Sequence, residues 1–206
     1  TGVALSFEDT LDGGQTLTLN DSGTTSFLGS VGAATPLVNL LTDAAGATLV
    51  SGGAVATTGT QNYGDPVTVS SDTTFTGATV SYASTVDGST AGQEQLAIAG
   101  DTVFGAGVGT GTSLESITVS GTTSVAADLI ASGNQNYSGA VTLTGDSTVT
   151  GTTVTFGSTV DGPANLVVND SGTTTFGGSV GNLVLLQSLT TDAAGSTVLV
   201  GGAVGT

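Results

Sequence analysis

The chain copies itself. Residues 17–55, LTLNDSGTTSFLGSVGAATPLVNLLTDAAGATLVSGGAV, return as residues 166–204, LVVNDSGTTTFGGSVGNLVLLQSLTTDAAGSTVLVGGAV, at an offset of 149. Between them QNYGDPVTVSSDTTFTGATVSYASTVDG (61–88) returns as QNYSGAVTLTGDSTVTGTTVTFGSTVDG (135–162), at an offset of 74. One unit of about 75 residues therefore recurs, over approximately 1–75, 76–149 and a partial 150–206. A unit this short cannot bury its own apolar face and must stack on its neighbours, so the 206 residues read as one repetitive segment. LSFEDTLDG (5–13) also matches VTFGSTVDG (154–162), so both ends fall inside a repeat. The expectation is a window on a longer chain, or a subunit that stacks end to end.

A shorter rhythm runs inside the unit. A Thr/Ser-rich pair followed by an apolar residue recurs at TTSF (24–27), ATL (47–49), TTF (73–75), DTVF (101–104), TTSV (122–125), STV (147–149), TTTF (173–176) and STV (196–198). Its apolar positions, Phe27, Leu49, Phe75, Phe104, Val125, Val149, Phe176 and Val198, are spaced 21 to 29 residues apart. Period-two alternation of apolar and Thr/Ser residues marks short strands, and Gly, Asn-Asp and Asp-Gly pairs break them. No helical period survives, and the short apolar runs LVNLL (37–41) and LVLLQSL (183–189) read as buried strands. A coil of this size made of strands and turns predicts an all-β parallel β-solenoid of about eight rungs of ~20–29 residues, three rungs to each unit. The eight apolar residues above would form one core column, Thr and Ser would face outward, and Gly13, Gly88 and Gly162 would serve the turns. A propeller would need repeats nearer 40–50 residues, and immunoglobulin-like sandwiches units of about 100.

The style of repeat has a parallel. GTTTFGGSVG, SLTTDAAGSTVLVGGAV, QNYSGAVTLTGDSTVTG and VTFGSTVDG resemble the repeats of giant bacterial surface proteins of the filamentous haemagglutinin-like kind, over essentially the whole chain. The resemblance implies a right-handed parallel β-helix, secretion across the outer membrane and an adhesive or fibrous role. A secretion or N-terminal capping domain of that family is not recognisable in these residues.

Composition excludes much chemistry. There is no Lys, Arg, His, Cys, Met or Trp, and 16 acidic residues give a formal charge of −16. Without cations the chain has no salt bridges, no phosphate clamp and no basic patch, so nucleic acid and anionic membrane surfaces are unfavourable partners. Without His or Cys it lacks the usual imidazole base, thiolate metal ligands and disulfides. No apolar run approaches the ~20 residues of a membrane helix. Trypsin has no cleavage site anywhere, which suits an exposed fibre. GAGVGTGT (105–112) is Gly-rich, but no Lys follows it as a phosphate loop requires.

Carboxylates are the only charged side chains left. Most recur with the repeat (Asp12, Asp87 and Asp161; Asp21 and Asp170; Asp43 and Asp192; Asp72 and Asp146), which favours turn formation and solvation over acid–base chemistry. Glu8, Asp9 and Asp12 are the closest cluster and the weak candidates for a metal. Otherwise cofactors are not expected, beyond non-specific screening by Ca²⁺ or other cations. The Asn-X-Ser triplets at Asn20, Asn136 and Asn169 read as turns. Tyr63 and Tyr137 could contact sugar, though stacked strand ends fit them better. Rows such as TLT and TTT suggest ice binding less well, because their spacing is uneven. The expectation is an extracellular, non-catalytic stalk or fibre whose partner is itself, by end-to-end stacking or lateral bundling. The alternative is an adhesive module for a glycan or surface ligand, to be sought at the least regular segment, 89–116, and it ranks ahead of an ice-binding or a polysaccharide-cleaving β-helix.

Overall fold

The computed structural model describes residues 4–206 and shows an all-β parallel solenoid of about ten turns. Every strand pairing and bridge is parallel, and no helix is long and apolar enough to cross a membrane among the described residues. Each turn has three walls. Wall I holds Leu5–Phe7, Thr24–Phe27, Ala47–Val50, Val67–Val69 and Val86–Gly88. Past the single bridging residue Val108 it continues through Leu129–Ile130, Ser147–Gly151, Asn165–Asp170 and Ser188–Thr191. Wall II runs from Leu11 and Val31 through Ala54–Ala56, Ser116–Val119, Gln135–Tyr137, Val154–Phe156 and Thr173–Phe176 to Ser196–Leu199. Wall III runs from Leu17–Leu19, Leu40–Thr42 and Thr60–Tyr63 through Thr123–Val125, Val141–Leu143 and Val160–Asp161 to Val180 and Val204. Two ten-residue strands, Thr73–Tyr82 and Gln95–Phe104, bend through a corner and serve wall II with their first halves and wall III with their second.

Inward residues stack in columns, one per turn. The wall II column is Leu11, Val31, Val55, Phe75, Ile98, Val119, Tyr137, Phe156, Phe176 and Leu199, with steps of 18 to 24 residues. At the strand spacing of about 4.8 Å, ten turns make a rod roughly 45 Å long. The turn is thus nearer 21 residues than 24, and there are about ten turns rather than eight. The expected single column dissolves accordingly. Phe75 and Phe176 lie on wall II, Phe104 and Val125 on wall III, Phe27 and Val149 on wall I, all six buried. Leu49 and Val198 point outward. Their neighbours Val50 and Leu199 take the inward position, stacked on Phe27 and Phe176. Nor do Thr and Ser all face outward, since Thr25, Thr48, Thr73, Thr102, Thr123 and Thr174 are buried. Of LVLLQSL, Leu183, Val184 and Leu185 form an exposed loop, and only Leu186 is buried.

The sequence unit and the turn do not match. Leu11-Asp12-Gly13 lies on wall II, its copy Val86-Asp87-Gly88 on wall I, and the next copy, Val160-Asp161-Gly162, on wall III. Each copy is eleven wall segments after the last, which is three and two-thirds turns rather than three rungs. The eight-residue rhythm advances by three or four segments at a time, which is why it overestimates the turn and leaves every column it enters. The aromatic core moves likewise. Phe7 and Phe27 stack on wall I (centroids 5.3 Å apart), Tyr63, Tyr82 and Phe104 on wall III (5.2 and 5.8 Å), and Tyr137, Phe156 and Phe176 on wall II (5.6 and 5.2 Å).

Candidate functional site

A motif that visits different walls meets different side chains each time, so its contacts must be with itself or with backbone. Gln61-Asn62-Tyr63 shows how. Tyr63 donates its hydroxyl to Gln61 Oε1 (2.9 Å), and Gln61 Nε2 donates to the carbonyls of Val55 and Thr76 (3.1 and 2.9 Å). In the copy, Tyr137 donates to Gln135, whose amide reaches the carbonyls of Leu129 and Thr150, at the same sequence offsets of 6 and 15 residues. Both tyrosines are fully buried, so neither contacts a sugar at the surface. Burial pushes their hydroxyls well above the usual phenol range.

The outward carboxylates stitch one turn to the next. Asp12 Oδ1 accepts the backbone N–H groups of Ala34 and Thr35, Asp87 those of Gly111 and Thr112, and Asp161 those of Leu183 and Val184. Each pins a protruding loop one turn along. Asp72, Asp101, Asp128 and Asp146 do the same for Gln95, Thr122, Thr148 and Asn165. Hydrogen bonds from Thr122 hold the Asp101 carboxyl below the ordinary carboxylate range, and those from Asn165 do so for Asp146. Of the predicted turn glycines, Gly13 and Gly162 have φ of +142° and +134°, whereas Gly88 keeps an ordinary φ and is buried on wall I.

Glu8, Asp9 and Asp12 do not come together. Glu8 accepts from Ser6 and Asp9 from Thr10, while Asp12 holds the 32–37 loop. Among the described residues no group of three or more acidic side chains could hold a metal ion.

Inside the solenoid, hydroxyls meet carboxylates. Thr25 donates to Asp21, Thr174 to Asp170, and Thr48 and Thr42 to Asp65. The middle unit has lost these acids, since Gly139 stands where Asp65 does and Gly100 near the place of Asp21. Its inward hydroxyls, Thr102 and Thr123, are buried without a partner. Tyr82 is a second such case. Its hydroxyl is buried and unpartnered at a position where the other units carry Phe7 and Phe156. Tyr82→Phe is therefore expected to stabilise the chain by about 1 kcal/mol, because it removes an unsatisfied polar group and keeps the ring. A higher urea midpoint with an unchanged slope would show it, and a lower midpoint would refute it.

The least regular segment borders an outward groove of about 490 Å³ lined by Gln95, Glu115, Ser116, Thr118, Gly133, Asn134, Asn136 and Thr152. Gln95 Nε2 donates to Glu115 Oε2 (2.8 Å) and Thr152 Oγ1 to Asn134 Oδ1 (3.3 Å). Of these, sequence reasoning singles out only the 89–116 part and the Asn136 triplet. The signal that could have found the rest is the recurrence of outward polar residues at steps of about 20, which a turn of 24 hides. Comparison of the chain with protein-family models, with curated proteins and with solved structures returns no match.

Proposed function

We propose that this chain is a structural stalk or fibre segment of an extracellular bacterial surface protein, of the filamentous haemagglutinin-like style. The observation that carries the reading is the unbroken stacking of inward columns over ten turns, which makes length and stiffness the product of the fold. The polar groups support it, since most carboxylates are engaged in binding one turn to the next. The groove contains one carboxylate, Glu115, whereas glycoside hydrolysis generally uses two. Electron microscopy of the native material tests the proposal. Long filaments of uniform width with a repeat near 4.8 Å along the axis are expected. Isolated 20-kDa particles would overturn it. A second reading, glycan adhesion, is favoured by the groove's amide, hydroxyl and carboxylate lining. Under it, binding on a glycan array would be lost in Asn134→Ala together with Asn136→Ala.

A further inference from the structure

The groove owes its opening to one short side chain. In the first unit Thr16, Asn39 and Thr60 lie on successive turns of wall III, each directly before a stacked residue, Leu17, Leu40 and Gln61. Asn39 ties its two neighbours together. Its Nδ2 donates to Thr16 Oγ1 (3.2 Å), and its Oδ1 accepts the backbone N–H (2.8 Å) and the hydroxyl (3.2 Å) of Thr60. The middle unit repeats the arrangement on wall II, with Gln95, Ser116 and Asn134 before Leu96, Ile117 and Gln135. Here the shorter Ser116 stands for Asn39 and makes neither link. The space differs accordingly. A Cβ on Gly59 would meet Asn39 Oδ1 at 2.4 Å, whereas one on the equivalent Gly133 would meet no side chain nearer than Thr152 Oγ1 at 3.9 Å. The Asn134 N–H and the Ser116 hydroxyl are thereby left for a ligand. Glu115 adds an acceptor, since Gln95 engages only its Oε2 (2.8 Å), and Asn136 adds an outward amide.

We propose that this groove binds an uncharged glycan chain lying along the rod. The inference rests on the adhesion reading above and gives it a ligand class. A sugar hydroxyl both donates and accepts, which is what a lining of N–H, amide, hydroxyl and carboxylate groups requires. Anionic glycans are disfavoured, because Glu115 stands in the groove and the chain has no Lys or Arg to offset its charge of −16. At about 490 Å³ the groove falls within the ~300–1,000 Å³ of small-ligand sites. Its lining comes from four successive turns, a rise of roughly 14 Å, so it takes a short run of sugars and not a single ring. No aromatic ring lines it, so sugars are held by hydrogen bonds and not by stacking.

Saturation-transfer NMR of the intact chain tests the site, titrated with neutral, anionic (uronate or sulfated) and amine-bearing oligosaccharides at low and high salt. Neutral members are expected to bind equally at both salt levels, since no charge pairing is involved. Ser116→Asn should weaken that binding by about tenfold or more, by rebuilding the link that Asn39 makes, and the first unit shows that the fold takes asparagine there. Asn136→Ala should weaken it roughly three- to tenfold, the worth of one hydrogen bond. Asn62→Ala should leave it unchanged, because Asn62 belongs to the same Gln-Asn-Tyr motif but lies exposed on wall III, away from the groove. Circular dichroism checks that each variant folds. Neutral binding that survives Ser116→Asn, or that falls as much in Asn62→Ala, places adhesion elsewhere on the rod and overturns the groove. A preference for anionic members, or binding of amine-bearing members alone that fades with salt, overturns the ligand class while adhesion stands. No binding by any member overturns the adhesion reading and this inference with it.

Discussion

Phe156→Ala should cost about 3–5 kcal/mol, the range for deleting a fully buried aromatic ring. Phe156 is 1% exposed and lies face to face between Tyr137 and Phe176, so truncation removes two stacked pairs and leaves a void that rigid parallel strands cannot close. Each turn of a solenoid touches only its neighbours, so the damage should be local. Hydrogen exchange is expected to lose protection across 135–176 while the Tyr63–Tyr82–Phe104 stack keeps it. Leu49→Ala is the matched control, because Leu49 points outward and should change stability by less than about 0.5 kcal/mol. If Leu49 proved the costlier loss, it rather than Val50 would face the core, and the strand register would be off by one residue.

Gly109→Ala should destabilise by about 3 kcal/mol or more, through strain and the loss of pairing together. Gly109 sits at φ +66°, in the left-handed region, and a Cβ there would lie 2.0 Å from the carbonyl oxygen of Ile130 on the next turn. Its counterparts in the other units are built alike. Gly32 and Gly181, at φ +70° and +63°, would place a Cβ 2.2 and 2.0 Å from the carbonyls of Ala56 and Gly205. Gly109 is the most consequential of the three. It follows Val108, whose bridges to Val86 and Leu129 are, among the described residues, the only wall I link between the first five strands and the last four. Pushing turn six away from turn seven at this point should split wall I and lower the thermal midpoint by several degrees. Gly14→Ala, with no atom within 4 Å of its Cβ and an ordinary φ, should be close to neutral.

The solenoid is legible in the sequence because its signals are local: alternation, turn residues and self-similarity each declare themselves within a few residues. Phe27, Phe75 and Phe176 are recognisable as core for the same reason. What sequence alone conceals is phase. Leu49 and Val50 are both apolar, and only the partner on the previous turn, Phe27, shows which faces in. The turn length is misread because the most conspicuous motif follows the unit and not the wall. The inward threonines escape notice because a hydroxyl beside a strand reads as surface, and only the buried Asp21, Asp65 and Asp170 explain how it can lie inside. The groove depends on residues brought together from four turns, so no short stretch of chain could announce it.

Eleven segments wound on three walls behave like the thread of a screw. Any patch written once in the unit reappears about 18 Å farther along the rod, turned by a third of a revolution, and regains its original bearing only after three copies, roughly 53 Å. Within this rod, then, the copies of a patch face three different ways, and a side chain that varies between copies varies the face that it presents.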